Sequence, residues 1–127
     1  MERKTRCSPV VVRRATWDDL DSFGKLNERP TIKAWCGEVD GRIVGVGGFY
    51  LHNGRWVGFC ELKDEGRRYK VAFIKAARQA MQDMAEAGHR VIYAEADPNF
   101  PMAPRWIESL GFELQETGKY RWQHSGQ

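Results

Sequence analysis

The hydrophobic positions of this chain change period several times, and each change predicts an element. Val10-Val11-Val12-Arg13-Arg14 is a β-rich run. Thr16-Trp17-Asp18-Asp19 then places a hydroxyl cap and two first-turn acids at the start of a helix expected to reach about Leu26, closed by Asn27 to Pro30. Strand patterns cover about Ile32 to Val39, Arg42 to Leu51 and Arg55 to Leu62, separated by Asp40-Gly41 and Asn53-Gly54. Both dipeptides favour the positive φ angles of two-residue hairpins, so these strands are expected to form an antiparallel meander. Gly45, Gly47 and Gly48 interrupt the middle strand and mark a bulge or the close passage of another backbone or a ligand. From Tyr69 to Ala87, the residues Val71, Ile74, Ala77, Met81 and Met84 recur at helical spacing opposite Lys75, Gln79, Gln82 and Glu86, and Gly88 supplies the stop. Val91 to Ala96 is a short apolar strand, so strand, helix and strand predict a crossover onto a parallel pair. Pro101 and Pro104 open a short helix ending at Leu110-Gly111, and Phe112 to Gln115 with Tyr120 to Gln123 make a last hairpin around Thr117-Gly118.

These elements add up to one α/β domain with a mixed sheet, and 127 residues suit a single core. Residues 1–9 read as a basic tail and 10–127 as the domain. No apolar run approaches the roughly 20 residues of a membrane span, and Met1 to Pro9 is charged where a secretion signal is apolar, so no membrane partner and a cytoplasmic location are expected. Cys7, Cys36 and Cys60 are odd in number and far apart, which suits reduced, mostly buried thiols. With His52, His89 and His124 they lack paired ligand spacing, so no metal site is expected.

The net charge of +3 is mild and no ordered alternation of aromatic and basic residues appears, so nucleic acid is not an expected partner. Its distribution matters more: Lys63, Arg67, Arg68 and Lys70 crowd one turn at a helix start. Cations there oppose the helix dipole, so the cluster calls for a bound anion or for local neutralisation by Asp64 and Glu65. On the strand before it, Val57, Phe59 and Glu61 share one face, and Trp56, Gly58, Cys60 and Leu62 the other. A lone carboxylate on an apolar face is a candidate general base; the alternative is a strand-end Glu paired with Arg67 or Arg68.

The order of these pieces resembles the GNAT superfamily of acyl-CoA N-acyltransferases, over about Val10 to Trp122. Val12-Arg13-Arg14-Ala15-Thr16-Trp17-Asp18-Asp19-Leu20 resembles the family's first strand and helix, Asp40-Gly41-Arg42-Ile43-Val44-Gly45 its recurrent hairpin, and Arg105-Trp106-Ile107-Glu108-Ser109-Leu110-Gly111-Phe112 its closing helix. The family's pyrophosphate turn reads Gln or Arg, two residues, Gly, one residue, Gly or Ala; Arg67 and Ala72 match, whereas Lys70 stands in place of the glycine.

The resemblance implies acetyl-CoA as cofactor, direct N-acetyl transfer to a small-molecule or peptide amine, and cofactor contacts at Cys60, Leu62, Arg67, Arg68, Lys70, Val71, Ala72 and Asn99. It implies Glu61 as base. The family's proton-donating Tyr falls at Ile107 in this chain, which leaves Tyr120, or Tyr93, as the expected acid. The missing glycine and Tyr also fit a rival, a noncatalytic GNAT-like structural or interaction protein. Acetyltransferase-like proteins of tailed phages are similar in this respect, and such a protein would work in a virion or as a homo-oligomer, with some of its five Trp exposed as an interface.

Overall fold

In a computed structural model, which describes residues 9–23, 29–96 and 102–124, both hairpin dipeptides take positive φ at each central residue: 51° and 79° at Asp40 and Gly41, 51° and 76° at Asn53 and Gly54. These angles match the twist of the strands they join. They link β2 (Ile32–Val39), β3 (Arg42–His52) and β4 (Arg55–Leu62) into the antiparallel meander, and β1 (Val11–Arg14) pairs along the outer edge of β2. β5 (Val91–Glu95) lies parallel to β4. β6 (Glu113–Glu116) and β7 (Lys119–Gln123) form the last hairpin, and β7 is the member that pairs with β5. The sheet therefore runs β1-β2-β3-β4-β5-β7-β6, a mixed α/β domain as the sequence predicts.

A short helix and a long one cover opposite faces of the sheet. α1 (Trp17–Asp21) begins with a reciprocal cap: the Thr16 hydroxyl accepts from the Asp19 amide at 3.2 Å, and the Asp19 carboxylate accepts from the Thr16 amide at 2.8 Å. Arg13 donates to the same carboxylate at 2.8 Å and to Glu38 at 2.8 Å, tying β1, α1 and β2 together. These bonds, that from Arg13 foremost, hold the Asp19 carboxyl well below the usual carboxylate range. The helix is shorter than the reach to Leu26 expected above. It ends at Asp21, and the Phe23 amide turns back to the Leu20 carbonyl at 3.0 Å in a tight turn just before Gly24. α1 covers Leu20, Ala34, Cys36 and Val46.

α2 (Lys70–Glu86) covers the other face. Its end is a Schellman turn: Gly88 has φ 97°, its amide donates to the Ala85 carbonyl at 3.0 Å, and the His89 amide donates to the Met84 carbonyl at 2.8 Å. The His89 ring also accepts a hydrogen bond from Trp56 Nε1 at 3.2 Å. Met81 and Met84 pack with Phe49, Ile92, Phe112 and Tyr120 in the largest cluster. Near the start of α2, Phe73 lies over Gly37 and Gly45, where β-carbons would stand 2.4 and 2.7 Å from its Cζ atom. The short α3 (Ala103–Ser109), with Pro104 in its first turn, packs its Trp106 on the Val39, Val44 and Phe73 cluster. All five Trp are half-buried, none of them exposed as the interface reading expects.

The bulge expected among the β3 glycines falls at Val44. Gly37 pairs with Gly45 and Glu38 with Ile43, so Val44 is unopposed. Its carbonyl accepts the Lys63 amide at 2.9 Å, where the chain leaves β4. Gly66 passes so close beneath that a β-carbon there would lie 2.2 Å from the same oxygen. Backbone oxygen cannot give way as a flexible side chain can, so Gly66→Ala is expected to destabilise the fold by about 1 to 3 kcal/mol. A Gly66→Ala variant that melts at the parent temperature in a calorimeter contradicts this packing.

Candidate functional site

The site arises where two strands part. β4 and β5 pair only at Val57 with Tyr93 and at Gly58 with Ala94, yet β4 continues to Leu62. Among the described residues, Phe59 to Leu62 thus have strand partners on the β3 side alone. Main-chain amides and carbonyls on their other side face a cleft of about 600 Å³, bounded by β4, α2, the end of β5 and α3. Its walls are mostly apolar, including Phe59, Leu62, Ala77, Met81, Trp106 and Ile107, with Glu61, Arg67, Asp83 and Glu95 as charged members. Its size and character are those of small-molecule sites.

The structure brings Cys60, Glu61, Leu62 and Arg67 to the walls of this cleft. Arg68, Lys70 and Val71 are exposed and Ala72 half-buried just beside it, where α2 starts, and none of the four lines it. Tyr120 is buried in the core with Phe49, Met84, Ile92 and Phe112, outside the lining. Tyr93 is also outside it, with the Arg55 guanidinium 4.8 Å from its ring centre. Ile107 does line the cleft, so an aliphatic side chain stands at the position where the resemblance places a Tyr. Asn99 lies outside the described residues.

Glu61 is exposed and makes no hydrogen bond or ion pair among the described residues, so neither the apolar burial nor the arginine pairing weighed above applies. Cys60 is not the hidden thiol that the sequence suggests. Solvent reaches it through the cleft, but protein crowds it on most sides. That burial, with the neighbouring Glu61 charge, pushes its pKa up to about 12. Cys36, by contrast, is buried under α1, and its pKa is likewise raised by burial.

The basic turn is built differently from an open amide cradle. Asp64–Tyr69 forms a 3-10 helix that runs straight into α2, and the Lys70 amide donates to the Arg67 carbonyl. That amide is therefore already engaged, so Lys70 has its side chain rather than its main-chain N–H to offer an anion. Asp64 stands 3.9 Å from the Arg67 guanidinium, so the local neutralisation weighed above is partly present. Two features escape the sequence reading. Gly66 is the glycine that this turn requires, and its signal is only its place directly after an acidic pair. The small residues Ala76, Ala77 and Ala80 face the cleft, and their signal is the absence of large side chains on one side of an otherwise regular helix.

A thiol reacts through its thiolate, so the raised pKa predicts a slow Cys60. At pH 8 its alkylation by iodoacetamide, isolated as the difference between the parent and Cys60→Ser, is expected to be more than about tenfold slower than that of free cysteine, even after allowance for the greater nucleophilicity of a high-pKa thiolate. The rate is expected to climb with each pH unit through pH 11. A plateau near pH 9 contradicts the assignment.

No protein-family model matches this chain, and no curated protein matches it in sequence. Solved structures do. An acetyltransferase of the GNAT family from Staphylococcus aureus Mu50 is 13% identical with a TM-score of 0.65, over 91% of this chain and 98% of that one. A protein described as a streptothricin acetyltransferase from Bacillus anthracis, in complex with acetyl coenzyme A, is 13% identical with a TM-score of 0.68, over 92% and 99%. Aminoglycoside acetyltransferase AAC(6')-Ib, in complex with coenzyme A, is 16% identical with a TM-score of 0.64, over 93% and 96%. The chain has the fold of the GNAT acetyltransferases.

Proposed function

We propose that this chain is an acyltransferase that moves an acetyl group from acetyl-CoA directly to a primary amine in the cleft between β4 and β5. The observation that carries this reading is the parting of the two strands after Gly58. An extended arm with amide links adds to a free strand edge through main-chain hydrogen bonds, and Phe59 to Leu62 offer such an edge above an apolar floor. Cys60 and Leu62 flank that arm, and Arg67, Arg68 and Lys70 meet its phosphates by charge where the Lys70 amide is engaged. Val71 and Ala72 close the site at the first turn of α2, and Asn99 is carried from the resemblance alone. When bound, acetyl-CoA supplies the electrophilic thioester. Glu61, open to solvent at the edge of the cleft, takes the proton that the attacking amine sheds. No Tyr lines the cleft among the described residues, so the proton given back to sulfur comes from Glu61 or from water.

A second reading, a noncatalytic protein of the same shape, is favoured by the engaged Lys70 amide and by Ile107 in the wall. Its interface in a virion or an oligomer would need an exposed surface. The exposed large apolar residues among those described, Val11, Val12, Leu51, Val71, Met102 and Leu114, include no aromatic residue.

Because charge replaces amide contacts, CoA binding is expected to be weak and salt-dependent. Calorimetry at low and high ionic strength tests this, and tight binding indifferent to salt contradicts it; no binding in either buffer leaves the noncatalytic reading. General base catalysis contributes roughly 100- to 10,000-fold, so Glu61→Gln is expected to slow acetyl transfer to an accepted amine by that order with CoA affinity unchanged. A folded Glu61→Gln protein that turns over at the parent rate removes the base assignment.

A further inference from the structure

From the structure we infer that the acyl group this cleft is built to hold is longer than acetyl: an unbranched chain of about eight carbons, laid beneath α2. The inference rests on the acyl-transfer reading above and concerns the donor alone. On the α2 face of the sheet, Gly47 stands between Trp35 on β2 and Cys60 on β4, and Gly58 stands between Phe49 and Ala94. The helix above presents Ala76, Ala77 and Ala80 to the same space. Floor and roof are both small, so helix and sheet enclose a hollow that leads from the parting of β4 and β5 across Gly47 to Trp35.

Backbone geometry does not call for glycine at either floor position, because neither Gly47 nor Gly58 has positive φ. Crowding does not call for it at Gly58, where a β-carbon would make only ordinary contacts at 3.6 to 3.7 Å, whereas at Gly47 a β-carbon would stand 3.3 Å from the Phe59 carbonyl oxygen. What the missing side chains provide is room. Interiors are normally packed to the density of organic crystals, so an apolar space of about 600 Å³ left unfilled would forfeit much contact energy. At about 30 Å³ for each water-sized group, the cleft holds on the order of 20 such groups. That is more than an acetyl thioester and two amide links occupy, and the surplus lies beneath α2, away from the free edge of β4. A second observation points to a guest in the same cleft: Trp106, in its wall, buries its indole N–H without an acceptor among the described residues. A carbonyl of a bound thioester arm would supply one once the wall adjusts around it.

Calorimetry on the full chain with CoA, acetyl-CoA and octanoyl-CoA tests the inference. Each methylene removed from water adds roughly fourfold to affinity, so octanoyl-CoA is expected to bind at least about 100-fold more tightly than acetyl-CoA. Ala77→Phe fills the hollow from the roof and is expected to cost octanoyl-CoA far more than acetyl-CoA, so that the two thioesters bind the variant with similar affinity. Ala76→Leu fills the same space more gently and serves if Ala77→Phe does not fold. Equal affinity for the two thioesters in the parent overturns the inference and leaves acetyl transfer standing. A filling variant that weakens both thioesters alike also overturns it. Failure of all three ligands to bind overturns acetyl transfer and this inference together.

Discussion

The parallel ladder between β4 and β5 is two residue pairs long, and the site exists because it is no longer. Each strand tolerates this because its outer edge is well held. β4 pairs with β3 over its whole length, from Arg55 opposite His52 to Leu62 opposite Gly45, and β5 pairs with β7 from Val91 to Glu95. The inner edges can then diverge while each strand remains part of a sheet. Insertion of β7 between β5 and β6 is what gives β5 that second partner.

The bulge at Val44 decides what stands at the mouth of the opening. An unopposed residue lets its carbonyl turn away from β2 and take the Lys63 amide, so the chain leaves β4 at a fixed angle. Gly66 then passes under that oxygen, and the 3-10 helix to which it belongs brings Arg67 to the cleft wall. The same helix engages the Lys70 amide. Backbone geometry and side-chain charge are thus exchanged at this corner: what the main chain keeps for its own hydrogen bonds, the cationic side chains offer in its place.

Much of the fold was legible because its signals are local. Asp40-Gly41 and Asn53-Gly54 fix two hairpins through the φ angles they tolerate, and Gly88 stops α2 for the same reason. The alternation of Trp56, Gly58, Cys60 and Leu62 with Val57, Phe59 and Glu61 gave the two faces of β4, but not that residues of both faces, Cys60 and Leu62 from one and Glu61 from the other, would line the same cleft. Legibility ended where distant segments meet. Nothing around Gly58 announces that its pairing with β5 stops there. The need for glycine at Gly66 comes from the carbonyl of Val44, 22 positions earlier. Tyr120 reads as a polar aromatic at the start of a strand, and only the packing of Phe49, Ile92 and Phe112 around it shows that it belongs to the core.

The two tight turns also divide the molecule in time. Each hairpin of the meander closes a loop of two residues, so β2, β3 and β4 meet at little cost in chain entropy. The pairing of Gly58 with Ala94 must instead span the 3-10 helix and all of α2, and its return is only two residue pairs. Contacts of that separation form late in folding, after the local ones that reward them. The seam between the two halves of the sheet is therefore expected to close after the meander, and the cleft lies on that seam.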